Sequence, residues 1–114
     1  MQVSIPNENG VLEEGLRETL ARLGRAHATI TIALCEDGHF RYGLEMMYSY
    51  GGFGFPIRVN GIGYPTMGEA RLAAIERMLA RMHRPFPSDP ASVHEELRQL
   101  TEQLESRLRQ PSLF

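Results

Sequence analysis

Cys35 and His39 stand on either side of Asp37-Gly38, and a thiol beside an imidazole is the smallest set from which a nucleophile and its base can be made. Turnover would further need a group that orients the imidazole and donors for the charge that develops. The sequence identifies neither, and Cys35 reads equally well as a small residue closing a strand. The four histidines, His27, His39, His83 and His94, show no i, i+4 pairing, and a single thiol cannot complete a structural zinc set or an internal disulfide. No metal, cofactor or catalytic residue is therefore expected, and the chain is read as a non-enzyme. Two glycine-rich stretches invite a phosphate reading, because backbone N–H groups at a helix start can cradle an anion. Gly51-Gly52-Phe53-Gly54-Phe55 lacks the Gly-Lys-Ser/Thr of a P-loop, and Gly61-x-Gly63 has neither a lysine nor the third glycine of a dinucleotide fingerprint. Both are read as turn geometry.

Binding chemistry is better represented. In YSYGGFGF, residues 48–55, the rings of Tyr48, Tyr50, Phe53 and Phe55 alternate with serine and glycine. Rings on a rigid hairpin, beside residues small enough to admit a partner's backbone, are the material of protein-interface anchors. Tyr48, Tyr50 and Phe53 are the candidate anchors, with Arg41, Glu45 and Arg58 as a polar rim. The competing reading places Tyr48, Tyr50 and Phe55 in the core and leaves Phe53 alone outside. All 12 basic residues are arginine, the side chain suited to planar, bidentate and stacked contacts. Between residues 61 and 84, Arg71, Arg77, Arg81 and Arg84 outnumber Glu69 and Glu76, and the last three arginines fall on one helix face. A nucleic-acid contact through these four arginines is the alternative reading. The formal net charge of −2 weighs against it, since nonspecific binding needs a basic field to release counterions.

The elements that must position these residues follow from periodicity. Leu12, Leu16, Leu20 and Leu23 are spaced as one helical stripe, so a first helix is expected from the Asn7 or Asn9 cap to Gly24. From His27 the period becomes two, and Ala28, Ile30, Ile32 and Leu34 share a strand face opposite Thr29, Thr31, Ala33 and Cys35. Asp37-Gly38 marks a hairpin. A second strand follows, with Phe40, Tyr42, Leu44, Met46, Tyr48 and Tyr50 on its core face. Gly51 to Gly54 is read as a reversal, and residues 55–59 as a third, edge strand. Thr66 and Glu69 form the capping box of a second helix, with Leu72, Ile75, Met78, Leu79 and Met82 as its apolar stripe and Arg84-Pro85 as its end. Val93, Leu97, Leu100, Leu104 and Leu108 trace an amphipathic third helix. It is expected either on the body or on a second copy, with Val93, Leu97, Leu100 and Leu104 as the homodimer seam.

The whole is an α+β chain in the order helix, three-stranded antiparallel sheet, helix, helix. Residues 1–84 form the core domain, 85–91 a proline-rich linker and 92–110 the last helix. With 114 residues of which 42% are hydrophobic, there is material for one packed domain. No run of about 18 apolar residues occurs, and the opening MQVSIPNENG lacks a basic and then apolar leader, so the expected compartment is the cytoplasm, with no membrane contact.

Two resemblances bear on function. Gly61-x-Gly63, then Glu69-Ala70 and Ala73-Ala74, resembles the G-x-G and E-A-x-x-A-A pattern of the double-stranded RNA-binding domain, and the expected element order is similar to that fold. Met67 and Gly68 stand where that family places a pair of lysines on duplex phosphates. The size, mild acidity and expected element order also resemble the small anti-CRISPR proteins of phages and mobile elements. That resemblance implies stoichiometric binding to a host protein complex, a CRISPR effector, in the host cytoplasm.

Overall fold

The alternating run after Gly24 builds the centre of the molecule. A computed structural model describes residues 1–82 and 86–109. In it β3 (Ala26–Leu34) and β4 (Phe40–Tyr48) pair antiparallel without a register break, from Leu34 opposite Phe40 to His27 opposite Met47. The turn between them closes through Cys35 N–H to the His39 carbonyl, 2.9 Å, and Gly38 N–H to the Cys35 carbonyl, 3.0 Å, with Gly38 at φ 83°. That conformation favours glycine.

The first helix is not there. Residues expected to form it make β1 (Val11–Leu12) and β2 (Leu16–Leu23), and β2 pairs antiparallel with β3 through a turn at Gly24. The cause is a bulge between Thr19 and Ala21. An extra residue shifts the phase of a two-residue period. Leu16, Glu18 and Leu20 therefore share one face with Ala21 and Leu23, and the leucine spacing of four and then three imitates a helix. The bulge buries both Leu20 and Ala21.

The reversal after β4 also falls earlier than expected, at Ser49 and Tyr50. The glycine-rich stretch is itself a strand, β5 (Gly51–Phe55), paired with β4 from Tyr48 opposite Gly51 to Leu44 opposite Phe55. The sheet is thus a four-stranded meander in the order β2-β3-β4-β5. At Pro56 the chain folds over, and β6 (Ile57–Arg58) pairs with β1 to make a two-stranded strap across one face of the sheet. Gly43 admits the strap, because a Cβ there would lie 2.9 Å from the Ile57 nitrogen. Leu12 and Ile57 bury Ala33 and Cys35 beneath it.

The opposite face carries the helices α1 (Met67–Arg81) and α2 (Ala91–Arg109). Thr66 caps α1 by accepting from Glu69 N–H at 3.1 Å. The buried side of α1 holds Ala70, Arg71, Ala74, Ile75 and Met78, while Leu72 is 45% exposed. The stripe is rotated from the expected one because the Arg71 guanidinium is drawn inward by Glu18 of β2, at 2.9 and 3.1 Å. Leu100 and Leu104 of α2 join one core with Ile30, Ile32, Met46, Ile75 and Met78. The structure is α+β with strands first and helices last, which overturns the expected helix, three-strand, helix, helix order.

Candidate functional site

The two edges of the sheet are treated differently. Along the second half of β2, α2 supplies the missing partners. The Gln103 side-chain amide accepts from Arg22 N–H at 2.9 Å and donates to the Arg22 carbonyl at 3.1 Å, and Arg107 reaches the Leu20 carbonyl at 3.4 Å. A side chain stands in for a neighbouring strand.

No such partner covers β5 among the described residues. Phe40 exchanges both backbone bonds with Tyr64, at 2.8 Å each, so the outward-facing peptide groups of β4 are those of Phe40, Tyr42, Leu44, Met46 and Tyr48. Their partners Phe55, Phe53 and Gly51 face inward, which leaves the N–H and C=O groups of Gly52 and Gly54 pointing off the sheet. These glycines are needed for packing as well. A Cβ on Gly52 would lie 2.4 Å from the Met46 carbonyl oxygen, and one on Gly54 2.7 Å from that of Leu44. The result is an edge with neither a blocking side chain nor a charge on it, unlike the guarded edges usual in monomeric sheets.

Flanking that edge, α1 lays two arginines on the two rings of β5. Arg77 sits over Phe55 with 5.0 Å from guanidinium carbon to ring centroid, and Arg81 over Phe53 at 5.3 Å. Stacking holds the planar cations against half-buried rings while their N–H groups stay in solvent. The hairpin tip is pinned from the other helix, where the Glu96 carboxylate accepts from the Ser49 N–H and hydroxyl at 2.8 Å each. Both helices therefore fix β5, one at its tip and one along its side.

Beyond Phe55 a small pocket opens, lined by Arg41, Tyr42, Phe55, Arg58, Asn60 and Arg77 among others. Tyr42 packs against Phe55 at 5.8 Å and Tyr64 at 6.1 Å between centroids. Burial pushes the Tyr42 hydroxyl up from its ordinary pKa, Tyr64 adds to this, and Arg77 opposes it. Arg41 is held by a bidentate pair with Asp37, at 2.8 and 2.9 Å, and by the Gly61 carbonyl at 2.9 Å. The hydrogen bonds from Arg41 hold the Asp37 carboxyl well below the usual carboxylate range.

The residues singled out in sequence scatter. Tyr48 is half-buried on the helix side, Tyr50 is exposed at the hairpin tip, and Phe53 lies under Arg81. Glu45 points to the opposite face, where it meets Arg17 at 3.8 Å, while Arg41 and Arg58 line the pocket. The expected single hairpin patch is therefore divided among the helix side, the hairpin tip, the opposite sheet face and the pocket. Arg71 is withdrawn from any nucleic-acid surface, being 3% exposed and paired with Glu18. Arg77 and Arg81 remain at the surface, and Arg84 lies outside the described residues, as do His83 and Pro85. Val93, Leu97, Leu100 and Leu104 are buried against their own chain and so form no exposed seam. The Cys35 thiol is buried under the strap, whereas the His39 imidazole is turned toward Asp37 at 3.7 Å in solvent. No cluster of metal-ligating side chains occurs among the described residues, and none of their helices is long and apolar enough to cross a membrane.

Sequence reasoning missed the open edge because it read Gly51 to Gly54 as a turn. The available signal was the alternation itself, glycine at 52 and 54 against phenylalanine at 53 and 55. A scan against protein-family models, a search of curated proteins and a search of solved structures each found no match.

Proposed function

We propose that this protein is a non-catalytic binding module that holds an extended, acidic segment of a partner protein along β5. The observation that carries the proposal is the unblocked β5 edge beside Arg77 and Arg81, set against a β2 edge whose second half α2 closes. Strand addition gives main-chain hydrogen bonds worth about 0.5–1.5 kcal/mol each, net, and the flanking guanidinium groups select for carboxylates. The resemblances to the RNA-binding domain and to anti-CRISPR proteins leaned on an element order that the fold does not have. The inhibitor reading is kept as a proposal about the partner, a host complex such as a CRISPR effector, and rests on this edge.

Fluorescence polarisation with a labelled Val-Glu-Val-Glu-Val peptide and its Val-Lys counterpart tests the proposal. The glutamate peptide binds, the lysine peptide does not, and Arg77→Glu with Arg81→Glu abolishes the binding. Equal binding of both peptides, or of neither, contradicts it. A duplex RNA included as a third probe, if bound more tightly and with a steep salt dependence, transfers the arginines to the nucleic-acid reading.

A further inference from the structure

Positive charge is also left without a counter-ion at the pocket beyond Phe55. Of its three arginines, Arg41 is neutralised by Asp37. Arg58 and Arg77 have no carboxylate within ion-pair distance among the described residues. Arg58 and Arg77 line a cavity of about 180 Å³ together with Tyr42, Phe55 and Asn60. That volume is below the roughly 300 Å³ at which cofactor and drug-sized sites begin. It suits one acidic side chain or one chain end. The apolar wall lowers the local dielectric and strengthens attraction to an anion.

We infer that this pocket is a single-carboxylate site, filled by the segment that pairs with β5. The inference deepens the edge-strand reading and rests on it for the natural occupant. Because β5 runs from Gly51 to Phe55 toward the pocket, a segment lying along β5 delivers into it either an aspartate or glutamate side chain or its own terminal carboxylate. A carboxylate there accepts from Arg58 and Arg77 on its two oxygens, while Arg41, locked by Asp37 and the Gly61 carbonyl, holds the floor in place.

The test is an NMR titration of the full chain, following the arginine Nε–H signals and the backbone amides. The probes are N-acetylglutamate α-amide, N-acetylvaline, neutral N-acetylvaline amide and inorganic phosphate. Both carboxylate probes shift the Arg58 and Arg77 signals, the neutral amide does not, and Arg58→Gln with Arg77→Gln weakens binding about tenfold or more. Tighter binding of N-acetylvaline assigns a chain terminus, and of N-acetylglutamate α-amide a side chain. Equal response to the neutral probe, no effect of the double substitution, or a preference of more than tenfold for phosphate overturns the assignment. The Gly52 and Gly54 amides report the edge separately. Carboxylate binding without any peptide-induced shift at those glycines sustains the pocket and removes the edge, and the converse removes the pocket alone.

Discussion

Replacing Glu18 by alanine should cost far more than an ion pair at the surface. Glu18 of β2 holds Arg71 of α1 in a two-pronged pair whose side chains are 13% and 4% exposed, and Arg107 of α2 stands 4.0 Å from the same carboxylate. Removing the carboxylate strands a guanidinium between sheet and helix, a loss of about 3–5 kcal/mol. Exposed pairs are worth only about 0–1 kcal/mol. At about 4 °C per kcal/mol for a chain of this size, the melting temperature falls by roughly 12–20 °C. Arg71→Met should cost less, because Glu18 keeps Arg107 as a partial counter-ion. The double change Glu18→Leu with Arg71→Met should lie within about 1–2 kcal/mol of the parent, since both charges leave together. Urea denaturation followed by far-UV circular dichroism, on the parent and the three variants, measures these costs. A cost under about 1 kcal/mol for Glu18→Ala, or a double variant no better than the single, would refute the idea that desolvated charge locks the helices to the sheet.

Other consequences are open to simpler experiments. Leu100→Asp would split a dimer held by the α2 seam, but Leu100 is fully buried in its own chain. Chemical denaturation should show at least about 4 kcal/mol of lost stability, against less than about 0.5 kcal/mol for the exposed Leu72→Asp. Glu96→Ala releases the hairpin tip at Ser49, so hydrogen exchange at the Ser49 and Gly51 amides should accelerate at least tenfold with the core amides unchanged. Glu95, in contact with Arg98 and Gln99, is held at about 2 instead of 4.5. Its folded value lies below its unfolded one, so its contribution is complete above about pH 4.5 and lost as the pH falls toward 2. Carboxyl NMR should show this depressed midpoint and its rise toward the ordinary carboxylate range in Arg98→Ala, where Gln99 still donates to the carboxylate.

What could be read in the sequence was whatever repeated without interruption. β3, β4, their Asp37-Gly38 turn and the Thr66 cap all lie where period and turn chemistry put them. Two interruptions defeated the same reasoning. The bulge at Thr19 and Ala21 made a strand's period look like a helix's, because one added residue gives the three from Leu20 to Leu23, while the four from Leu16 to Leu20 is two strand periods with Glu18 between them. Glycine at 52 and 54 looked like punctuation, yet it is what lets β5 approach β4 closely. Arg71 shows a third limit. A charge on an otherwise solvated stripe gives no local sign that a glutamate 53 positions away will draw it inside. The arginine and aromatic candidates were each visible, but their stacking across α1 and β5 is a product of tertiary structure.

The proposed binding requires β5 to be an unoccupied edge that accepts another strand. Amide hydrogen exchange at Gly52 and Gly54, recorded with and without saturating Val-Glu-Val-Glu-Val peptide, tests this most directly. Rapid exchange in the free protein, slowed at least tenfold by the peptide and not in the Arg77→Glu, Arg81→Glu variant, is the predicted result. Protection already present in the free protein, or exchange indifferent to the peptide, would contradict it.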